Sequence, residues 1–317
     1  MAFSLGTLTA YVEQNEQLLV ASSVLGPKTA TLIQQSGNIQ ADVKSAATIN
    51  IMDTDAIFQA GGSCGFTTSG TTSITQRQIT VGKIKVNEAL CPKDLEAYYT
   101  QKALPAGSRY DTIAFAADYT TRKAQKIAAQ LEKALWQGDT TSGDANLSRF
   151  DGFCEIIKDA GAAVVNANSV AYHGSVETSI TNSNVVAIFD SIYKAIPAEV
   201  IDKDDVVIFC GMDVFRTLTV KIKNDDLFHY QTQERPNGEF FLPGTDIRVI
   251  GTPGLNGKNG IYAMRLSNMW LGTDLLDEDQ NRWELFFAKE ADQVRFVVEF
   301  KYGVQVAFPT EIVKFEV

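Results

Sequence analysis

The sequence predicts an α+β fold for this chain of 317 residues, and three stretches carry that prediction. Residues 110–137 show the apolar period of one long helix. Residues 151–289 alternate between helix patterns and strand patterns, and residues 290–317 close the chain with strands of alternating apolar and polar residues. Since 45% of the residues are hydrophobic and 21% charged, the chain can bury a substantial core.

The long helix has the clearest pattern in the chain. Its apolar stripe follows steps of four and three through Ile113, Ala117, Thr120, Ala124, Ile127, Leu131 and Ala134. Asp111 or Ser108 can cap its start, and Gly138 stands where a C′ glycine is expected. The opposite face carries Arg122, Lys123, Lys126 and Glu132. At 1.5 Å per residue the helix is roughly 40 Å long, and its alanines allow close packing.

The chain before this helix predicts extended structure. Residues 1–60 contain only short apolar clusters between polar residues, which indicates an arm laid over another surface; a helix is expected near 9–21. Residues 61–70 form a glycine- and serine-rich break. The following residues, 71–90, predict a two-stranded polar hairpin with Gly82 between its halves. Such a hairpin is marginal alone, so it docks either on another subunit or on its own domain.

The second half of the chain predicts alternating elements. We expect a helix over 185–196 that ends at Pro197, a buried strand over 205–211 and a helix over 212–222. Four strands follow, in "DIRVIG", "GIYAMRL", "NMWLGTDLL" and "WELFFA". Residues 293–308 predict a pair of strands with a bulge or turn at Gly303.

The charge and the ends of the sequence exclude several classes of function. The net charge is −10 and the pI about 4.8, which argues against general binding to nucleic acid or to an anionic membrane. No apolar run approaches the ~18 residues of a spanning helix. The N-terminus lacks the basic and apolar regions of a signal peptide, so we expect intracellular synthesis.

The sequence offers little for catalysis or for binding a metal or cofactor. The only two histidines, His173 and His229, stand in polar contexts that predict surface loops. Four cysteines occur without a C-x-x-C pair, which argues against zinc or thiol-redox chemistry, and "GLNGKNG" departs from a phosphate-binding loop at Thr252 and Asn259. We therefore expect no enzyme, no cofactor and no metal site.

One stretch, "DEDQN" at 277–281, begins like the calcium loop of an EF-hand. The glycine required at its sixth position is Arg282, and the bidentate glutamate required at its twelfth is Ala288. The same residues are explained as the polar tip of a hairpin between "NMWLGTDLL" and "WELFF". We therefore expect a turn here rather than a cation site.

In the order of its elements, the chain resembles the major capsid protein of tailed bacteriophages, whose shell fold encapsulins share. The likeness is strongest in "LEKALWQGDTTSGDANLSRFDGFCEIIKDA" and in the closing strands from "GIYAMRLSNMWLGTDLL" to "GVQVAFP". The resemblance implies an N-terminal arm (1–60), an extended E-loop (61–91), a P-domain (92–150 and 290–317) with a spine helix at 110–137, and an A-domain (151–289). It differs from members that begin with a long charged scaffolding segment.

The resemblance also implies a function and partners. Hexamers and pentamers of the subunit would form an icosahedral shell around double-stranded DNA, assembled in the cytoplasm of a bacterial host, with scaffolding, portal and possible decoration proteins as partners and no membrane. The E-loop would contact a neighbouring subunit through Ile79, Val81, Lys83, Ile84 and Lys85. An encapsulin-like nanocompartment shell is the alternative with the same fold, and an α/β enzyme with an unrecognised site is the third hypothesis.

Overall fold

A computed structural model describes residues 19, 22–59, 68–90, 112–225, 238–242, 244–274, 283–291 and 293–317, with side chains of the long helix from residue 119 on. The predicted helix near 9–21, His229, "DEDQN" and the N-terminal cap of the long helix lie essentially outside these residues. The helices, in chain order, are α1 (Lys28–Gln35), α2 (Thr112–Gln137), α3 (Phe153–Asp159), α4 (Val170–His173), α5 (Val185–Ala195), α6 (Ala198–Ile201) and α7 (Met212–Asn224).

The strands form three sheets. Their bounds are β1 (Ile39–Gln40), β2 (Ala46–Thr54), β3 (Thr72–Thr80), β4 (Gly82–Leu90), β5 (Val165–Asn166), β6 (Val206–Gly211), β7 (Glu239–Phe241), β8 (Arg248–Thr252), β9 (Gly260–Arg265), β10 (Met269–Thr273), β11 (Trp283–Ala288), β12 (Gln293–Val306) and β13 (Val313–Glu316). The first sheet contains β1, β10, β12, β11 and β4, the second has the order β5-β13-β9-β6-β8-β7, and β2 pairs with β3 in the third.

The first sheet is organised around β12. Strands β10 and β11 follow one another along one edge of β12, and β4 runs antiparallel along the other edge. The even-numbered residues of β12 from Val294 to Val306 are buried in one core, which also takes in the buried stripe of α2 at Ala124, Ile127 and Leu131. The predicted stripe of the long helix is confirmed over the residues whose side chains are described.

The second sheet is covered on both faces, as the uninterrupted apolar run of β6 predicts. Val207 and Phe209 join the core shared with α2, whereas Ile208 and Cys210 face a second core with α5 and α7. Trp136, near the end of α2, lies between Phe153, Phe209 and Tyr262. Helix α2 therefore joins the two sheets. The predicted helices and strands between 185 and 288 are all present.

The predicted hairpin over 71–90 is wrong. Strand β3 pairs with β2, and β4 pairs with β12, so the two halves of that stretch have different partners. The predicted interruption at Gly303 is wrong as well, because β12 runs through it without a break. Neither Gly82 nor Gly303 has a positive φ, so neither is a turn glycine.

Both glycines are required by close packing instead. A Cβ on Gly303 would lie 2.2 Å from the Thr80 carbonyl oxygen, and one on Gly82 would lie 1.8 Å from the Arg149 carbonyl oxygen. Gly272, the cross-strand partner of Gly303, has the Ile79 side chain 2.7 Å from its own Cβ position. Residues 79–82 thus cross β10 and β12 where Gly272 and Gly303 lie opposite each other. Before this crossing the chain pairs with β2, and after it the chain pairs with β12.

The N-terminal region is not an extended arm throughout. Helix α1 contributes Ala30, Leu32 and Ile33 to the core shared with α2, and β1 pairs with β10. Strands β10 and β11 already belong to the first sheet, and the last strand, β13, returns to the second. Strands β10 and β11 both run antiparallel to β12, so they follow one another along it and do not pair with each other as a hairpin.

Glu132 departs from its predicted place on the polar face of the long helix. Its side chain is buried, and its two carboxylate oxygens accept hydrogen bonds from the Thr29 backbone N–H (3.0 Å) and the Thr29 hydroxyl (2.6 Å). The Trp136 indole N–H donates to the same hydroxyl. Burial raises the pKa of Glu132, although the Thr29 bonds oppose that change. The carboxyl thus binds the first turn of α1 to α2.

Replacing Gly303 with alanine should lower the free energy of unfolding by about 1–3 kcal/mol, because the added methyl must displace the Thr80 carbonyl. Gly143→Ala is the matched control, since no atom lies within 4 Å of a Cβ there. It should change stability by less than about 0.5 kcal/mol. Urea unfolding of both variants measures the difference, and equal stabilities would contradict the crossing.

Replacing Glu132 with glutamine should destabilise the subunit by about 1–3 kcal/mol, because an amide cannot accept both Thr29 bonds. The folded pKa of Glu132 is raised, so its contribution to stability is fullest below the unfolded pKa and falls as pH rises towards the folded value. The deficit of Glu132→Gln should therefore shrink as the pH rises above about 4, the unfolded pKa of a glutamate. Unfolding curves across this range test it, with exposed Glu290→Gln as control; a growing deficit would refute the assignment.

Candidate subunit interface

The hairpin formed by β2 and β3 has a buried base and an exposed outer end. At the base, Ile49, Ile51 and Ile79 pack with Val43, Val81 and Ala307 in a small core of their own. Beyond this core the burial pattern of both strands becomes almost wholly exposed. Two nine-residue strands at about 3.3 Å per residue give the hairpin a length of roughly 30 Å. Of the described residues of the hairpin, those at the base are therefore the ones held by the rest of the chain.

The outer end presents apolar side chains to solvent. Met52 and Ile74 are cross-strand partners, and they are 67% and 69% exposed. Ile57 is 59% exposed and Phe58 is 99% exposed. Single exposed apolar residues are common, but four of them towards the outer end of one projecting hairpin make that end a candidate interaction site. We call Met52, Ile57, Phe58 and Ile74 the apolar tip.

The direction of the hairpin follows from its bonds to β12. The Arg77 guanidinium donates to the Val306 carbonyl oxygen, and the Gln305 amide donates to that of Gln78. Further along the chain, Gly82 pairs with Tyr302 and Leu90 with Val294. Strands β3 and β4 thus follow β12 from its C-terminal end towards its N-terminal end. The apolar tip consequently projects past the C-terminal end of β12.

A groove of about 480 Å³ lies between β4, α2 and the loop that contains residues 145–149. Apolar residues line part of it, namely Ile84, Val86, Ile127, Leu131, Ala134 and Phe300. Its charged lining residues are all basic, namely Lys83, Lys85, Lys123, Lys126 and Arg149. In a chain with a net charge of −10, this basic groove is a local reversal of charge.

Two of the five cations have acidic partners beside the groove. Lys85 pairs with Glu299, and Lys123 pairs with Glu88, which also accepts a hydrogen bond from the Tyr119 hydroxyl (2.7 Å). Burial alone would raise the pKa of Glu88, but the bonds from Lys123 and Tyr119 outweigh it, so that pKa is lowered. Burial and the bond to Glu88 raise the pKa of Tyr119. Lys83, Lys126 and Arg149 remain as the cations that give the groove its excess positive charge.

The structure separates the five residues that the sequence predicts as contacts between subunits. Ile79 is fully buried and Val81 is 9% exposed, so both stabilise the base of the hairpin and neither is available to a neighbour. Lys83, Ile84 and Lys85 lie in β4 and line the basic groove. The apolar tip was missed because its members are scattered over 52–74 without a period. The sequence feature that could have identified the apolar tip is the presence of large apolar residues in a segment that is otherwise polar on both faces.

The His173 side chain is only 6% exposed instead of lying open to solvent in a loop, and it belongs to a polar cluster with Glu177 and Ser191. Its Nδ1 lies 2.6 Å from the Ser191 hydroxyl oxygen, and its Nε2 lies 3.4 Å from the Glu177 carboxylate. The Ser191 hydroxyl donates to the Ala187 carbonyl oxygen inside helix α5 and is 2% exposed. A hydroxyl in that position cannot reach a substrate, so the cluster fixes α4 against α5.

Two further features bear on binding. Across the described residues, no three His, Cys, Asp or Glu side chains are grouped so as to hold a metal ion. Within the same part of the chain, no helix is both long and apolar enough to span a bilayer.

Comparison with solved structures shows which known fold the chain has. No family model and no curated protein matches the sequence. Among solved structures, a chain of the satellite phage P4 procapsid, which includes the size determination (Sid) protein, superposes with a TM-score of 0.60 over 95% of this chain and 90% of that one, at 12% identity. A chain of the Gordonia phage Cozz gives 0.57 over 90% and 85%, at 10% identity.

The chain has the fold of phage capsid proteins. A capsid chain of an empty GTA particle also superposes, with a TM-score of 0.55 at 13% identity over 91% of this chain and 90% of that one. A virus-like particle from Pyrococcus furiosus gives 0.50 at 10% identity over 99% and 100%.

Substitution of the apolar tip should leave the folded subunit unchanged. Met52→Ala should alter the free energy of unfolding by less than about 0.5 kcal/mol, because Met52 is two-thirds exposed. The adjacent Ile51→Ala should cost about 2 kcal/mol or more, because Ile51 is buried at the base of the hairpin. Chemical denaturation of the Met52→Ala and Ile51→Ala variants compares the two faces of β2. A large loss of unfolding free energy for Met52→Ala would mean that the apolar tip is part of the core.

Proposed function

We propose that this chain is the major capsid protein of a tailed phage, a structural subunit that assembles through hexamers and pentamers into an icosahedral shell around double-stranded DNA. The observation that carries the proposal is the capsid fold, which covers 95% of the chain in the match to the P4 procapsid. The apolar tip supports it, because an exposed apolar cluster on a projecting hairpin is stabilised when a neighbouring subunit covers it.

The parts of the subunit receive their capsid names under this proposal. We assign the E-loop to the hairpin of β2 and β3, thus to residues 46–80 rather than 61–91. The P-domain consists of the first sheet with α1 and the spine helix α2, and the A-domain consists of the second sheet with its helices. Scaffolding, portal and possible decoration proteins are the expected partners, and the shell would form in the cytoplasm of a bacterial host. The subunit is a structural protein rather than an enzyme.

The acidic charge of the subunit suits a container for DNA. A net charge of −10 keeps the chain from condensing nucleic acid onto its whole surface, so that packaged DNA can move as it enters. Association of subunits in the shell then depends on local contacts. Because the hairpin base, the apolar tip and the basic groove lie at different places on the subunit, these contacts can involve several neighbours. Contacts that are weak one by one delay assembly until several form together.

An encapsulin-like nanocompartment shell is the second candidate. The likeness to the Pyrococcus furiosus virus-like particle over the whole of both chains favours it. Purified particles separate the two candidates by their contents. Nuclease-protected DNA in particles from the native source supports the phage capsid, whereas a protein cargo without DNA supports the nanocompartment.

Assembly itself is the first test. The chain expressed alone, and again with the neighbouring genes of its source, should give capsomers, tubes or shells by size exclusion and negative-stain microscopy. Replacing residues 56–70 with a two-residue Asn-Gly turn should leave a folded subunit, because the buried base of the hairpin is kept. It should abolish the larger assemblies. A monomer under every condition would refute the shell function, and unaltered shells from the shortened chain would refute the assigned role of the hairpin.

A further inference from the structure

We propose that Glu311 is a proton-sensitive tether between the two large sheets of the subunit, which holds them more firmly when its carboxyl is neutral than when it is charged. The inference concerns the single chain, so it goes beyond the proposed shell function and does not depend on it. It assigns a role to a partly buried carboxylate that the candidate interface does not use.

Two short segments carry the chain from one large sheet to the other, and they lie side by side. Residues 266–268 connect β9 of the second sheet to β10 of the first, and residues 307–312 connect β12 of the first sheet to β13 of the second. Since β10 pairs with β12 and β9 pairs with β13, the two segments begin and end at neighbouring strands. We call residues 266–268 and 307–312 the linker pair.

The end of the linker pair nearest the first sheet is fastened by groups that do not titrate. Asn268 is 1% exposed. Its side chain accepts a hydrogen bond from the Phe308 N–H (2.6 Å) and donates one to the Phe308 carbonyl oxygen (2.7 Å). The Asn268 carbonyl oxygen accepts a third bond from the Ala307 N–H (3.0 Å). A change of pH therefore leaves the bonds at this end in place.

The end nearest the second sheet is held by charged side chains instead. Asp205, which precedes β6, accepts hydrogen bonds from the Arg265 Nε–H (2.9 Å) and from the N–H (3.2 Å) and hydroxyl of Ser267. The same guanidinium reaches Glu311 through Nη1 at 3.5 Å, which is at the limit of a hydrogen bond. The first linker segment is thus held firmly by Asp205, whereas the second is held by one long contact.

Glu311 has a carboxylate oxygen that the described chain leaves without a donor. Its Oε2 is buried, and none of the described residues forms a hydrogen bond with it. The side chain as a whole is 21% exposed. A charged oxygen in that position loses hydration that no described group replaces, whereas a neutral carboxyl has less hydration to lose. The geometry therefore favours the neutral form of Glu311.

The charged groups around Glu311 oppose one another. Burial raises the pKa of Glu311, and Asp205 raises it further, whereas Arg265 and Lys203 lower it without outweighing burial. Burial would also raise the pKa of Asp205, but the bonds from Ser267 and Arg265 outweigh it, so that pKa is lowered. On acidification Glu311 takes up a proton before Asp205 does. The proton therefore acts on the second linker segment and leaves the first as it is.

Protonation of Glu311 stabilises the closed linker pair. Because the folded pKa is raised, the contribution of Glu311 to stability is fully present below the unfolded pKa of about 4.3 and is lost as the pH rises through the folded value. At neutral pH the charged carboxyl regains its hydration when residues 309–311 move away from Arg265. Since Asn268 still holds the other end, the linker pair opens from the side of the second sheet. Acid therefore tightens this connection between the sheets, and neutral pH loosens it.

Hydrogen exchange of the full chain tests the tether, with peptides that cover residues 260–270 and 304–314. Protection is compared at pH of about 4.5 and of about 7.5, after division by the intrinsic exchange rate. We expect the amides of Phe308 and Ile312 to lose protection by about threefold or more at the higher pH, because local opening is favoured there. Glu311→Gln, which is neutral at both pH values, should abolish the difference and keep the higher protection throughout. Glu284→Gln, at an exposed position of β11, is the matched control and should leave the difference unchanged.

A second variant separates titration of Glu311 from a role in packing. Arg265→Gln removes a cation that favours the charged carboxyl, so the pH at which protection is lost should rise. The double variant Arg265→Gln with Glu311→Gln should again show no dependence on pH. A side chain that only filled space beside Arg265 would leave that midpoint where it is.

Three results would overturn the tether. They are equal protection of the linker pair at both pH values in the unmodified chain, a pH dependence that survives Glu311→Gln, and lower protection of Glu311→Gln at neutral pH, which would show that the charged pair with Arg265 holds the linker. None of them bears on assembly, so the shell function stands or falls separately.

Discussion

The crossing of the chain over the glycine pair of β10 and β12 is the constraint on which the subunit depends. Where Ile79 to Gly82 pass over Gly272 and Gly303, the Thr80 backbone lies against Gly303 and the Ile79 side chain against Gly272, which leaves no room for a Cβ on either glycine. This contact lets β3 remain with β2 while β4 joins β12. A side chain at either glycine would lift the crossing strand, and with it the base of the hairpin and the strand that forms one wall of the basic groove.

The second constraint is the attachment of both sheets to α2. Tyr119 of α2 packs edge-on against Phe296 of β12, and Trp136 near the end of α2 packs against Phe209 and Tyr262 of the second sheet. Gly254 lies against the same turn of the helix, where a Cβ would meet the Glu132 carbonyl oxygen at 2.3 Å. Because Glu132 also holds α1 through Thr29, one helix fixes the relative positions of the N-terminal helix and both sheets.

Local elements could be predicted from the sequence, whereas their partners could not. The period of α2, the strand alternation of β12 and the stop of α5 at Pro197 depend on neighbours in the chain, and all three were found. Gly82 and Gly303 were assigned to turns because a sequence does not distinguish a glycine that needs positive φ from one approached by another strand. Glu132 was assigned to solvent because its partner, Thr29, lies 103 residues away. The basic groove was invisible for the same reason, since its five cations come from three separate segments.

The β2–β3 hairpin is held at its base and is long, so a small rotation at the base moves its outer end by a large distance. Over a reach of about 30 Å, a rotation of only about 5° at the glycine crossing carries the outer end through about 2–3 Å. In the shell proposed for this chain, identical subunits would surround axes of different order, so the angle between neighbours would vary while the chemistry of their contact would not. The hairpin can absorb that variation by turning at its base, so that the packing of either sheet need not change.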